Sequence, residues 1–494
     1  MKRAVVVGSG MGGLVAARLL QRQGLDVTVL EQHTRPGGLL HRFFRDGLAY
    51  DTGFHYCGSV DAGQPLGQVL RHIGIAGDLE FEELDPDGFD VLRFPGLEVS
   101  MPRGWDAWRE RLAAVFPQER AGLDALFARM RAAVDAYGLY RMVEHTDVAH
   151  LLDVEGAGLL DVVRAHVRDP RLHAVLAGHA VLYGVPPHEA SFGVHALILD
   201  HFLQGAFALK GGGDRLALTL ARRIRQDGGR VLLKREVTEV ICDGRLATGV
   251  RVADGEVFPA DLVISNLHPR LTLGLLPEQA TRKAYRSRVA STRLGHGHLG
   301  VYLELEGPVP ELERRNLYRH TRWDLERGYQ STTAAGPSLW FACSPSQRRD
   351  GDGRSVVLLI APHAWEDVAR WKDTAWGERP AAYTHHKGAL ADATVRAFLA
   401  DHPHLAGRIR RVEASTPLTT EHFTRSPEGA MYGHLHSREQ MGRARPSARI
   451  RVPNVLLVGQ GVFSPGVLGT ALSAYYAVGH LFGLGPLLDE LRSA

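Results

Sequence analysis

Three glycines set the first chemistry. Gly8, Gly10 and Gly13 lie in the run Gly8-Ser9-Gly10-Met11-Gly12-Gly13, at the spacing GxGxxG. Gly8 permits a tight turn, Gly10 lets a pyrophosphate approach the backbone, and Gly13 lets a helix pack closely on a strand. Glu31 lies 18 residues beyond Gly13, about where an acid meets a ribose hydroxyl. These residue types at this spacing predict a dinucleotide site, provided a strand and a helix hold them. Val5-Val6-Val7 reads as a buried parallel strand. Leu14, Ala17, Leu19 and Leu20 recur at helical spacing, Gly24 ends that helix, and Val27–Leu30 is a second strand. The helix N-terminus offers unpaired N–H groups and a partial positive charge to phosphates. Gly295, Gly297 and Gly300 repeat the same spacing, but they lead into the alternating run Val301–Leu305. No helix starts there, so that copy predicts no site.

Arg35-Pro36-Gly37-Gly38 follows the acid directly. Here the chain resembles flavoproteins of the glutathione-reductase type, which place a Gly-Gly pair close to the flavin's phosphates. The resemblance implies FAD rather than a nicotinamide cofactor. No other stretch combines strand, GxGxxG and helix, so electrons are expected to pass to or from an external partner.

Three further stretches carry chemistry or imitate it. Tyr50–Gly58 (YDTGFHYCG) sets two aromatic residues and a histidine between glycine turns, and reads equally as a packed turn or as the floor of a flavin pocket. Val175–Leu209 is rich in Leu, Phe and Tyr with few charges, and reads equally as an oily pocket or a helical core. Val455–Leu488 contains no Asp, Glu, Lys or Arg, which is long enough for a membrane span of ~20 residues. Glycines at 459, 461, 466 and 469 and Pro465 interrupt its first half, so it reads instead as strand, glycine loop and buried helix.

The elements that position these groups come in alternating blocks. Residues 76–210 lack a βαβ rhythm, and Trp105, Trp108, Leu112 and Phe116 keep helical spacing. From Lys210 the rhythm changes. A helix over Leu216–Arg225 and strands over Val231–Leu233, Val237–Cys242, Ala247–Val252 and Ala260–Asn266 return the chain to the nucleotide-binding sheet. Residues 281–445 mix strands with a helix near Ala389–Leu399, and Arg348–Arg354 is a charged loop. The expected fold class is α/β, a Rossmann domain interleaved with a mixed α+β substrate-binding domain. The expected boundaries are 1–75, 211–280 and 446–494 for the first, and 76–210 and 281–445 for the second.

With 494 residues the chain can bury two or three substantial cores. Its net charge of +3 makes no electrostatic case for nucleic acid. Cys57, Cys242 and Cys343 are scattered, with no CxxC, and suggest neither a disulfide framework nor a zinc site. No metal site is expected. The first strand begins by residue 4, leaving no room for a signal peptide, so a cytoplasmic protein is expected, with peripheral membrane contact as an option.

The whole pattern resembles the phytoene desaturase, carotenoid isomerase and retinol saturase family of flavoproteins, nearest its retinol saturase branch. Tyr50–Gly58, Pro186–Ala206, Ala414–Thr420 (ASTPLTT), Pro427–Gly433 (PEGAMYG) and Leu457–Gly469 (LVGQGVFSPGVLG) carry it. The resemblance implies a non-covalent FAD oxidoreductase acting on the CH–CH or C=C bonds of a conjugated, lipophilic polyene. It implies that Gly8, Gly10, Met11 and Gly13 hold the pyrophosphate and Glu31 the ribose. Gly37, Gly38 and Leu39 would lie on the diphosphate side and Val237 at the adenine. Gly459, Gln460, Val467 and Leu468 would lie by the ribityl chain and isoalloxazine, with His55, Tyr56 and Tyr432 on the substrate side of the ring. The expected reaction is saturation or redox-neutral isomerisation by reduced flavin. The alternatives are a desaturase using oxidised FAD, an amine oxidase with an aromatic cage and a lysine, and a flavin-binding protein without turnover.

Overall fold

The computed structural model describes residues 2–344 and 353–494. Most of the loop expected at Arg348–Arg354 lies outside the described residues. A five-stranded parallel sheet runs in the order Arg230–Leu233, Asp26–Glu31, Arg3–Val7, Leu262–Ser265, Val455–Leu457. Its strands come from three well-separated stretches of chain. They are apolar because helices cover the sheet; Val6, Val29, Ile264 and Leu457 are all buried. The helix Met11–Arg22 packs against both Gly213–Gln226 and Gly466–Phe482. Backbone bonds carry the ladder past the strand ends: Gly8 N–H donates to Leu30 O at 2.8 Å, Asn266 N–H to Val7 O at 2.9 Å, and Val458 N–H to Ser265 O at 2.9 Å. The turns after four strands therefore open on one edge, the carboxyl edge, where an open α/β sheet takes its ligand.

A seven-stranded sheet faces this unit, in the order Ile409–Ser415, His298–Glu306, Arg354–Pro362, Leu339–Cys343, Asn316–His320, Asp90–Phe94, Leu97–Met101. The second GxGxxG copy runs into the strand His298–Glu306, which contains Gly300, and no helix starts there. Asp90–Phe94 and Leu97–Met101 were not legible as strands in the sequence. They pair antiparallel around Pro95-Gly96, and the sheet that shelters them is built mostly from chain 200 residues further on. A helical block, including Trp105–Val115, Arg120–Asp135 and Phe192–Leu203, closes the space between the sheets. The uncharged C-terminal stretch forms a strand, a glycine loop, the helix Gly466–Phe482 and the start of a second helix, Leu484–Ser493, which runs on into charged residues; the two helices are parted at Gly483 with φ +88°. Among the described residues no helix is long and apolar enough to cross a membrane.

Candidate active site

A cavity of about 600 Å³ lies along the carboxyl edge of the parallel sheet. Gly8, Gly10 and Met11 line it, but Gly13 does not. A Cβ on Gly13 would stand 2.2 Å from Gly8 O, so Gly13 serves the contact beneath the turn. Gly37, Gly38 and Leu39 form the opposing loop, and Gly10 and Gly37 meet in a parallel bridge. Glu31 is buried at this junction. Its Oε2 accepts from Ser9 N at 2.9 Å and Ser9 Oγ at 2.6 Å, and its Oε1 from His33 N at 2.9 Å. Gly37 N donates in turn to Ser9 Oγ at 3.2 Å, so one hydroxyl ties the acid to both glycine loops. Val237, Gly459, Gln460 and Val467 complete the expected wall. Leu468 lines the neighbouring apolar cavity instead.

Two residues that sequence reasoning missed line this cavity, Asn266 and His268. The Asn266 amide fills the space that side chains at Gly10, Gly12 and Gly459 would need, with ideal Cβ positions 2.6 to 2.9 Å away. His268 accepts from Arg270 N at 3.2 Å through Nδ1, so its proton resides on Nε2. That Nε2–H is buried and has no protein partner, and burial holds the imidazole neutral, pushed down to about 4. Side-chain-free loops, a buried acid and an unsatisfied donor suit a long polyhydroxylated anion such as FAD. The signal for both residues was the strand ending in Ser265-Asn266, at the same edge as the glycine turn.

A second cavity, about 860 Å³ and largely apolar, meets the first at Gly53, Tyr432, Gly466 and Val467. Leu182, Tyr183, Leu197, Ile198 and Phe202 line it, so part of Val175–Leu209 does form an oily wall. Val143, Val148 and Tyr476 stand at its mouth, exposed to 42%, 61% and 39%.

The three residues expected on the substrate side differ in what they present. Tyr432 borders both cavities, and its hydroxyl donates to Leu182 O at 2.6 Å; burial pushes it up to about 12. His55 lines the apolar cavity with Nδ1 buried and unpartnered, and burial beside His298 pushes it down to about 3. Tyr56 lines the cavity with its ring, tilted by 39° against Phe202 at 4.7 Å, while its hydroxyl points into a buried network. That hydroxyl donates to Asp90 Oδ2 at 2.8 Å and lies 2.7 Å from Tyr318 Oη. Asp90 also accepts from Asn316 Nδ2 at 2.8 Å and pairs with His179 Nε2 at 2.7 Å. Among the described residues no cluster of His, Cys, Asp and Glu could hold a metal.

Residues 11–478 match the family described as flavin containing amine oxidoreductase. Human all-trans-retinol 13,14-reductase is 30% identical, over 95% of this chain and 84% of its own length. The neurosporene-forming phytoene desaturase of Cereibacter sphaeroides is 26% identical, over 95% and 93%. The chloroplastic prolycopene isomerase of Arabidopsis thaliana is 25% identical, over 95% and 81%. Among solved structures, an oxidoreductase from Methanosarcina mazei shares the fold, with TM-score 0.68 and 17% identity over 96% of this chain and 99% of that one.

Proposed function

The chain belongs to the flavin-containing amine oxidoreductase family, as an FAD-dependent oxidoreductase of the retinol-reductase, carotenoid-desaturase and carotenoid-isomerase type, and from that premise we propose that it saturates or isomerises a conjugated, lipophilic polyene with reduced flavin. One observation carries the reading: an apolar cavity of about 860 Å³ shares Tyr432, Gly53 and Val467 with the cofactor cavity. A long apolar substrate could lie there with one double bond at the junction.

When bound and reduced, FAD supplies a hydride equivalent to one carbon of a C=C bond. The chain's own residues do the rest. Leu197, Ile198 and Phe202 exclude water, so the polyene is held by shape and apolar contact. Tyr432, anchored on Leu182 O, fixes the wall between the cavities. His55 contacts the substrate, and Tyr56 positions the ring layer beneath it through Asp90. We assign the pyrophosphate to Gly8, Gly10 and Met11, with Gly13 supporting the turn. The ribose falls to Glu31, the diphosphate side to Gly37, Gly38 and Leu39, the adenine to Val237, and the ring and ribityl chain to Gly459, Gln460 and Val467, with Leu468 on the substrate face. The division into 1–75, 211–280 and 446–494 for cofactor, and 76–210 and 281–445 for substrate, follows the same assignment. Val143, Val148 and Tyr476 would take substrate from a lipid surface, and an external donor would re-reduce the flavin.

Amine oxidation is disfavoured because, among the described residues, no lysine lines either cavity. Desaturation is the second reading, favoured by the likeness to the Cereibacter enzyme over 95% of the chain. Anaerobic, dithionite-reduced enzyme should convert a conjugated polyene to a product with two more hydrogens or an altered geometry, while oxidised enzyme should not. Turnover by oxidised enzyme with a quinone, giving two fewer hydrogens, would move the protein to the desaturases.

A further inference from the structure

Saturating a double bond needs a proton as well as a hydride, and of the imidazole and carboxylate groups that line the apolar cavity, His55, Glu144, His145 and His201, it is His55 that also borders a second, smaller space. This separate cavity of about 90 Å³ is bordered by His55, His298, Tyr329 and Tyr432. Three polar atoms buried around it lack any protein partner: His55 Nδ1, His298 Nδ1 and Tyr329 Oη. Buried polar groups are almost always satisfied, by protein or by ordered water. A water takes about 30 Å³ in the liquid, so the space suits on the order of three.

The row of imidazoles continues outward. His298 lies opposite Pro362 on the adjacent antiparallel strand, and His363 follows Pro362 directly, its N–H donating to Gly297 O at 3.2 Å. His363 Nε2 is again buried without a partner. On its other side, His363 Nδ1 lies 3.0 Å from Ser331 Oγ, which donates to Asp367. The Asp367 side chain is 44% exposed, so the row ends in water. His55, His298 and His363 come from different parts of the chain, His298 is near enough to both of the others to lower their charge tolerance or have its own lowered, and each ring keeps a buried nitrogen without a protein partner.

We propose that Asp367, Ser331, His363, His298 and waters in the small cavity form a proton relay from solvent to His55, which delivers the proton to the polyene. The inference rests on the proposed saturase reading. In the step it serves, one polyene carbon gains a hydride from the reduced flavin, which loses two electrons. The double bond's electron pair moves to the neighbouring carbon, and that carbon takes the relayed proton. His55 gives up one proton toward the cavity and regains one at Nδ1 from water. Burial keeps His55, His298 and His363 neutral, so each ring can accept on one nitrogen while donating from the other.

Two measurements test this. A crystal structure of the holoenzyme that resolves water should hold ordered waters bridging His55 Nδ1, His298 Nδ1 and Tyr329 Oη; a dry cavity overturns the relay whatever the enzyme's substrate. In anaerobic single turnover of a conjugated polyene by dithionite-reduced enzyme, His363→Phe should slow product formation tenfold or more. It should also enlarge the solvent deuterium isotope effect, leave FAD affinity unchanged, and be partly rescued by added imidazole. Ser331→Ala, a smaller change in the fold, should act in the same direction. Wild-type rates and isotope effects in both variants overturn the relay while leaving the saturase reading intact. A wild-type enzyme that turns over no polyene removes that reading and, with it, the delivery of a proton to a polyene.

Discussion

Glu31→Ala separates cofactor recognition from fold maintenance. The carboxylate accepts three hydrogen bonds within the chain, from Ser9 N, Ser9 Oγ and His33 N. Removing it takes away the acceptor assigned to the ribose, a charge-assisted bond of roughly 1.5–3 kcal/mol. At about 1.4 kcal/mol per decade, the dissociation constant of FAD should rise some 10- to 150-fold. The same change leaves Ser9 N and His33 N without their acceptor, at about 1–3 kcal/mol for each donor that stays dry. The apoprotein should therefore also lose stability. Ser9→Ala isolates that second effect, because it removes two internal bonds, one to Glu31 and one from Gly37 N, while keeping the carboxylate. The assay is titration of acid-stripped apoprotein with FAD, followed by quenching of flavin fluorescence, alongside thermal melts without cofactor. A folded Glu31→Ala protein that binds FAD as tightly as wild type refutes the ribose assignment.

Gly13→Ala should give a colourless protein, because its Cβ would lie 2.2 Å from Gly8 O, a backbone atom; retained visible flavin absorbance would count against the tight turn. His55→Ala and Tyr432→Phe should each slow reoxidation of reduced flavin by a polyene at least tenfold while changing FAD affinity less than threefold, on the order expected when a substrate-facing group is removed; stopped-flow absorbance and titration read the two separately. His55, His268, His298 and His363 are held at about 3 to 4 by burial, below the unfolded value near 6.5, so the unfolded chain binds more protons between those limits. Their stabilisation is fully present above pH ~6.5 and lost as pH falls toward 4, by up to about 1.4 kcal/mol per pH unit each; urea midpoints that stay level from pH 7 to 5 would contradict this. Val148→Asp should lower flotation with neutral liposomes severalfold without loss of bound FAD, since Val148 is 61% exposed at the mouth of the apolar cavity; unchanged flotation would exclude the rim as the membrane contact.

The parallel sheet was legible because its signals are local. Val5–Val7, the glycine turn and Glu31 sit within one βαβ unit, and the Gly459–Gly469 loop announces itself through glycine and proline. Asn266 and His268 were not legible, because a polar pair after a strand is ordinary until the strand is known to lie beside Arg3–Val7. The hairpin Asp90–Met101 was hidden for a similar reason. Asp90 and Arg93 break its apolar pattern, and their partners, Asn316 and Asp401, come from far along the chain. Tyr56 looked like a candidate for substrate contact from its neighbours in sequence, but the direction of its hydroxyl depends on Asp90 and Tyr318, which only tertiary structure brings near.

The order of strands in the parallel sheet also dictates a timetable. The strand Val455–Leu457 lies at one edge, paired with Leu262–Ser265, and the helix after it packs on Met11–Arg22. Gly8 and Val455 are 447 residues apart. At about 5–20 residues per second, a ribosome needs roughly 20 to 90 s to span that distance. Throughout that interval the nascent chain carries its first glycine turn but not Gly459, Gln460 or Val467, and once Leu262–Ser265 has been made it presents an unpaired edge until Val455–Leu457 follows. Cofactor capture thus waits until Gly459, Gln460 and Val467 have been made. Flavin supply should govern how much protein survives the wait, and stalled or C-terminally truncated chains should aggregate through that open edge rather than accumulate as apoenzyme.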